Sequence, residues 1–184
     1  MLSARLRALK SLGPASYRPR FFSELYSFRW HLFRWRYTGA MMTRIRAVID
    51  TNVVFEGLTH RDGPAGVIVS AWVAELFQAC VSQALAYEYE DVLARKLAPE
   101  RWARTRFVLD ALLYRAELVT AYYSWRPSSP DPGDEHVIDC AMNARAIVVT
   151  ANLRDFELAR VELHLPVLSP VDFLTLLHAE TRGS

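Results

Sequence analysis

From residue 45 onward, apolar and polar positions fall into alternating blocks. Residues 45–49 are a short β-branched apolar run, which predicts a buried strand. Residues 59–63 are polar and contain glycine, so a loop is expected there. Residues 64–78 then read as a helix with Pro64 in its first turn. A short strand is expected at 79–81, and Ser82 is placed to cap a helix running to about residue 97. A further helix over 99–117 leads to a strand at 118–122 and a proline-rich loop over 124–133. The last third repeats the alternation, with a helix at 134–145, a strand at 146–150 and a polar turn or short helix at 152–160. A short strand at 166–168 and a helix from Pro170 to about His178 close the chain.

The strands are apolar throughout rather than two-faced, and each is followed by helix. That combination predicts an α/β fold, a three-layer α/β/α sandwich around a central, mostly parallel sheet. Right-handed crossovers make one doubly wound layer the economical topology. Loops leaving the carboxyl ends of such strands converge on one edge, where ligands bind.

Composition changes this picture at one end only. A chain of 184 residues, 52% hydrophobic, can bury one sizeable core with a short appendage. No apolar run approaches the roughly 20 residues of a transmembrane helix, so a cytoplasmic protein with no membrane association is expected. The formal charge of +2 hides two unlike segments. Residues 1–42 hold eight Lys or Arg against one acid, Glu24, while the rest holds 14 bases against 19 acids. Residues 43–184 are therefore expected to be the working domain and 1–42 a basic extension, disordered or preceding a true start at Met41-Met42. An Arg-rich targeting segment and a basic, aromatic arm touching RNA are the alternatives. Cys80 and Cys140 are not spaced as zinc ligands and read as buried, reduced thiols. The five histidines stand singly and are given no metal role.

The acids carry the chemistry. Asp50 directly follows the first strand, and Asp155 lies in the loop after the strand ending at Thr150. Asp134 opens a helix entered from the loop after the 118–122 strand. Glu88, about 1.7 turns past Ser82, can face the same edge. Singly, most have ordinary explanations: Asp134 suits a helix N-terminus, Glu88 a solvated helix face and Asp155 a turn. Asp50 is harder to dismiss, because an acid ending a buried strand needs a reason. Gathered in one pocket, four carboxylates would repel one another, and divalent cations relieve that repulsion. Magnesium usually takes one or two carboxylates and keeps several waters. Two metals roughly 3.5–4 Å apart can activate water and stabilise both oxygens of an in-line phosphoryl displacement. Asp50 is then the central ligand, with Asp134 and Asp155 completing the shell and Glu88 holding a metal or its water. Asn52, Thr150 and Asn152 are suited to orienting these acids. Asp139, about 140° around the helix from Asp134, is expected off the site.

The words around these acids carry a family resemblance. Residues 47–53, Ala-Val-Ile-Asp-Thr-Asn-Val, resemble the opening strand of PIN domains. Residues 82–93 look like that family's helix with an inward glutamate before a Val-Leu pair. Residues 134–141, Asp-Glu-His-Val-Ile-Asp-Cys-Ala, are similar to its acid-led helix, and 147–156 to the strand and loop that deliver the last acid. Residues 168–174 resemble the closing segment, so the likeness spans about 45–177. One short motif is weak, but the blocks in order are a strong signal. The resemblance, nearest to the toxins of toxin–antitoxin modules, implies cleavage of single-stranded RNA with Mg2+ or Mn2+. It also implies a homodimer and neutralisation by a cognate antitoxin protein. Asp50, Glu88, Asp134 and Asp155 match the family's four acidic positions. Many relatives have aspartate where Asn152 stands, so either Asn152 or Asp155 fills the last ligand position.

Other functions fit less well. A PIN-fold module that binds RNA or protein with little catalysis is the main alternative. A haloacid-type phosphatase needs a second acid two residues after the first, and Asn52 stands there. A receiver needs a lysine near the pocket, and Lys96 is the one lysine of the body. The acidic body is a poor partner for nucleic acid. Arg95-Lys96 and Arg101, Arg104 and Arg106 could track phosphates or form a solvated helical face.

Overall fold

A computed structural model describes residues 44–124 and 134–182 of the chain. The central strand is β1 (Arg46–Ile49), whose Ala47, Val48 and Ile49 are buried. It pairs in parallel with β2 (Gln78–Ser82) on one side and β4 (Ile147–Val149) on the other. Outside these lie β3 (Glu117–Val119), parallel to β2, and β5 (Val167–Leu168), parallel to β4. The order β3-β2-β1-β4-β5 is the expected parallel sheet, flanked by helices. From β1 the chain steps outward to β2 and β3, then crosses back to β4. The topological switch therefore falls between β1 and β4.

Seven helices are described: α1 (Thr51–Thr59), α2 (Pro64–Val73), α3 (Gln83–Lys96), α4 (Pro99–Arg115), α5 (Glu135–Ala144), α6 (Glu157–Glu162) and α7 (Pro170–Arg182). Ser82 caps α3 as expected, accepting from the Leu85 amide at 3.2 Å. The buried side of α3, Leu85, Ala86, Tyr89 and Leu93, follows helical spacing. α5 packs on β1, β2 and β4, whereas α1 packs on α2 and α3. Trp72, Phe77 and Phe173 join α2, the approach to β2 and α7. Phe77 meets Phe173 edge-to-face with ring centroids 5.1 Å apart. At the amino edge, Arg46 donates to both Glu117 oxygens at 2.6 and 2.8 Å and to the Ala144 carbonyl at 2.9 Å. That clamp fastens β1, β3 and α5 at the end of the sheet away from Asp50.

Three boundaries differ from expectation. The helix begun at Pro64 stops at Val73 rather than 78. Glu75 turns left-handed (φ 55), and the Gln78 amide bonds the Ile45 carbonyl at 2.8 Å, which recruits it into β2. The strand expected at 118–122 runs instead over Glu117–Val119. Third, α1 forms over residues for which no helix was expected. Its β-branched Val53 and Val54 do not favour helix, but their amides close on the Asp50 carbonyl at 3.0 Å each. Gly57 then lets α1 approach α2 closely, since a Cβ there would lie 2.5 Å from the Ala65 carbonyl oxygen. The expectations for residues 1–42 and for nearly all of the 124–133 loop fall outside the described residues. Cys80 and Cys140 are free and buried. No described helix is long and apolar enough to cross a membrane.

Candidate active site

Asp50 sits at the carboxyl end of β1, immediately beside the switch. Its backbone amide bonds the Val149 carbonyl of β4 at 2.9 Å, while its own carbonyl starts α1. The carboxylate is thereby held between a strand end and a helix start, only 4% exposed. Two side chains donate to its Oδ2: Thr150 Oγ1 at 2.6 Å and Asn52 Nδ2 at 2.7 Å. Burial pushes the Asp50 carboxyl above its ordinary value, and the bonds from Thr150 and Asn52 only partly oppose this.

Thr150 is the hub of the local network. Wholly buried, it donates to Asp50 and accepts from the Asn152 amide at 3.0 Å. Asn52 Oδ1 accepts from the Ala151 amide at 3.3 Å, tying the start of α1 to the loop after β4. Asn152 in turn donates its side-chain amide to Asp155 Oδ2. Asp50 and Asp155 are thus joined through Thr150 and Asn152, which places both candidates for the last acidic position side by side.

Glu88 stands on α3, half-buried, with its Oε2 beneath the surface. Its neighbour Tyr89 is fully buried and donates its hydroxyl to the Ile49 carbonyl, the peptide that leads into Asp50. The Tyr89 hydroxyl is held well above its ordinary pKa, by burial first and then by the charges of Cys140, Asp50 and Glu88. Tyr89 was missed in the sequence, although its place on the apolar side of α3 was the available signal. Asp134 takes the N-cap position of α5, half-buried, its carbonyl accepting from the Val137 and Ile138 amides at 3.0 Å each. The structure therefore couples Asp50 to Asp155 by hydrogen bonds through Thr150 and Asn152, and Tyr89 to the peptide that precedes Asp50.

Asp139, expected off the site, lines a cavity that none of the four candidate acids lines. It is buried at the same sheet edge, in a cavity formed by the ends of β2 and β3 with α5, and accepts from Ser124 Oγ at 2.7 Å.

Among the described residues, no three acids, histidines or cysteines approach closely enough to enclose a metal ion. The described residues alone therefore do not build a closed protein cage. Magnesium or manganese bound through one or two carboxylates and its own waters needs none. The donor set is suited to such an ion, being oxygen throughout. The side-chain partners of Asp50 are neutral, and burial leaves its charge poorly compensated. Beside it, Thr51 Oγ1 is buried without a hydrogen-bond partner among the described residues.

The basic patches have structural partners. Arg101 donates to the Thr59 carbonyl at 2.8 Å, and Arg106 pairs with Glu90 at 3.4 Å. Arg95 pairs with Asp91 at 3.0 Å, and Lys96 lies 5.0 Å over the Phe55 ring. These are the contacts of a solvated helical face.

A family model for the PIN domain matches residues 46–154. No curated protein matches the chain. Among solved structures, VapBC2 from Rickettsia felis, bound to a DNA fragment from its promoter, aligns with a TM-score of 0.52 at 13% identity, covering 68% of this chain and 98% of that one. VapBC-1 from nontypeable Haemophilus influenzae aligns with a TM-score of 0.47 at 13% identity, covering 69% and 99%. FitAcB from Neisseria gonorrhoeae gives 0.48 at 17%, covering 67% and 97%. The first of these likenesses shows a shared fold.

Proposed function

The chain belongs to the PIN domain family, and from that premise we propose that it is a metal-dependent endoribonuclease hydrolysing single-stranded RNA. The observation that carries this reading is the buried Asp50, supported by neutral donors and coupled through Thr150 and Asn152 to Asp155. A charge so placed costs free energy unless a cation meets it. The β1–β4 switch is also where an open parallel sheet accepts ligands.

In this reading one or two of Asp50, Asp155, Asp134 and Glu88 would hold Mg2+ or Mn2+ directly, and the others would hold its waters. When bound, the ion neutralises charge at the scissile phosphate and makes a water nucleophilic at neutral pH. The protein's own part is positional. Thr150 and Asn52 fix the Asp50 carboxylate, Asn152 fixes Asp155, and Tyr89 holds the peptide entering Asp50. The fold shared with VapBC2 and the family resemblance support a toxin of a toxin–antitoxin pair, a homodimer with a cognate antitoxin protein as partner.

A second reading, a PIN-fold module binding RNA or protein with little catalysis, is favoured by the lack of a three-acid cluster among the described residues. Incubating the purified, partner-free chain with labelled single-stranded RNAs separates the two. Cleavage with manganese or magnesium, lost in EDTA and in Asp50→Asn, supports the nuclease. An unsubstituted chain that cuts none of several RNAs leaves the binding module.

A further inference from the structure

The described domain is a poor collector of RNA. Residues 43–184 carry more acids than bases, and the proposed site adds carboxylates where a polyphosphate must arrive. Most of its bases are engaged. Arg44, Arg46, Arg95, Arg106, Arg115 and Arg160 each stand 2.6–3.8 Å from a carboxylate. Arg101 and Arg104 donate to backbone carbonyls at 2.8 and 3.3 Å. An arginine that left its carboxylate for a phosphate would expose that carboxylate to the same polyanion, so the exchange gains little.

Residues 1–42 are opposite in character. Eight Lys or Arg stand against one acid, Glu24, and residues 21–37 interleave Arg29, Arg34 and Arg36 with eight aromatic residues. Cations neutralise phosphates and release their counterions, while aromatic rings stack on bases of any sequence. Both residue types in one segment match a single-stranded nucleic acid, which offers phosphates and unpaired bases together. An anionic membrane surface fits less well. An interfacial helix keeps its apolar face free of charge, yet at about 100° per residue Arg29 and Arg36 project between Leu25 and Phe33. Residue 42 precedes Asp50 by only eight positions in the chain, so an RNA held by the segment is tethered to the site.

We infer that residues 1–42 are a binding site for single-stranded RNA, and that they, rather than the folded domain, carry most of the protein's RNA affinity. This inference rests on RNA being the substrate proposed above and adds which part of the chain holds it.

The test is anisotropy of a fluorescein-labelled single-stranded RNA in EDTA, titrated with the full chain over about 50–200 mM salt, with steady-state cleavage in manganese alongside. Each phosphate neutralised on a single strand adds about 0.7 to the slope of log Kd against log salt. The unsubstituted chain is expected to give a slope of about 3 or more. Replacing all eight bases of residues 1–42 with glutamine should bring the slope below about 1 and raise Kd and KM about thirtyfold or more at the lower salt. In that variant kcat should stay within about threefold and the melting curve should be unchanged. The Trp30→Ala/Trp35→Ala variant should bind about tenfold more weakly with the slope unaltered. Unaltered affinity there would make the segment a general ligand for polyanions and overturn the choice of RNA. A glutamine variant with the slope and Kd of the unsubstituted chain overturns the inference, as does one that keeps RNA affinity but no longer binds vesicles of phosphatidylcholine and phosphatidylserine. So does native protein whose mass shows residues 1–42 removed. A full chain that binds RNA through these residues but cuts none removes the nuclease and leaves the inference standing; one that cuts RNA with a slope indifferent to the substitutions does the reverse.

Discussion

Thr150 and Asp50 meet across 100 residues of sequence, the threonine hydroxyl donating to the aspartate Oδ2 at 2.6 Å. The contact bridges the two strands between which the chain reverses its direction of growth. It couples the integrity of the sheet to the orientation of the acid the proposed chemistry depends on.

Replacing Thr150 with valine removes that donor while keeping the shape. Asp50 loses a hydrogen bond to a buried charge, and the Asn152 amide loses its acceptor. A cost of about 1–3 kcal/mol is expected, read as a lower urea midpoint, with Thr150→Ser recovering most of it. Unaltered midpoints in the valine variant would show that the contact does not support the site.

The raised pKa of Asp50 gives the cation-free protein a definite pH response. A carboxyl whose folded pKa lies above its unfolded value stabilises the fold while protonated. That contribution is complete below the ordinary value of 3.8 and is lost as pH rises through the higher folded value. In EDTA, Asp50→Asn should therefore melt close to the unsubstituted chain at low pH and above it at neutral pH. Magnesium should narrow the neutral-pH gap by binding the native aspartate. A gap that stays flat from acid to neutral pH would count against a poorly compensated charge at Asp50.

Asn152 donates to Asp155, so Asn152→Asp turns an attractive contact into a like-charge pair. The variant should lose thermal stability in EDTA, recover it in millimolar manganese, and show a larger metal-induced shift than the unsubstituted chain. Equal shifts for the two proteins would place residue 152 away from the ion.

The arginines of α4 are engaged in holding the fold. Arg101 reaches the end of α1 and Arg106 reaches α3 through Glu90. The Arg101/Arg104/Arg106 triple alanine variant should accordingly melt at a lower temperature while binding RNA about as well as before. A loss of affinity with a reduced salt dependence would instead make them phosphate contacts.

Local signals made much of this architecture legible. The apolar runs at β1 and β4 marked a parallel core, and Ser82 capped its helix because that bond spans three residues. What was not legible depends on partners remote in sequence. Gln78 joins β2 because of Ile45, and α1 exists because the Asp50 carbonyl and the close approach at Gly57 override the propensities of Val53 and Val54. The acids could be named from motifs, and so could Asn52 and Thr150 as their supports. The Asp50–Thr150–Asn152–Asp155 connection could not, because it needs two strand ends side by side. Tyr89 was hidden for the same reason: it acts on a backbone far along the chain.

The most direct measurement is anomalous diffraction from crystals of the full chain grown or soaked with manganese. The account predicts a peak within coordination distance of the Asp50 carboxylate, at the β1–β4 switch, that vanishes in Asp50→Asn crystals. Manganese bound elsewhere, with Asp50 still held only by Thr150 and Asn52, in a protein that nonetheless cleaves RNA, would contradict it.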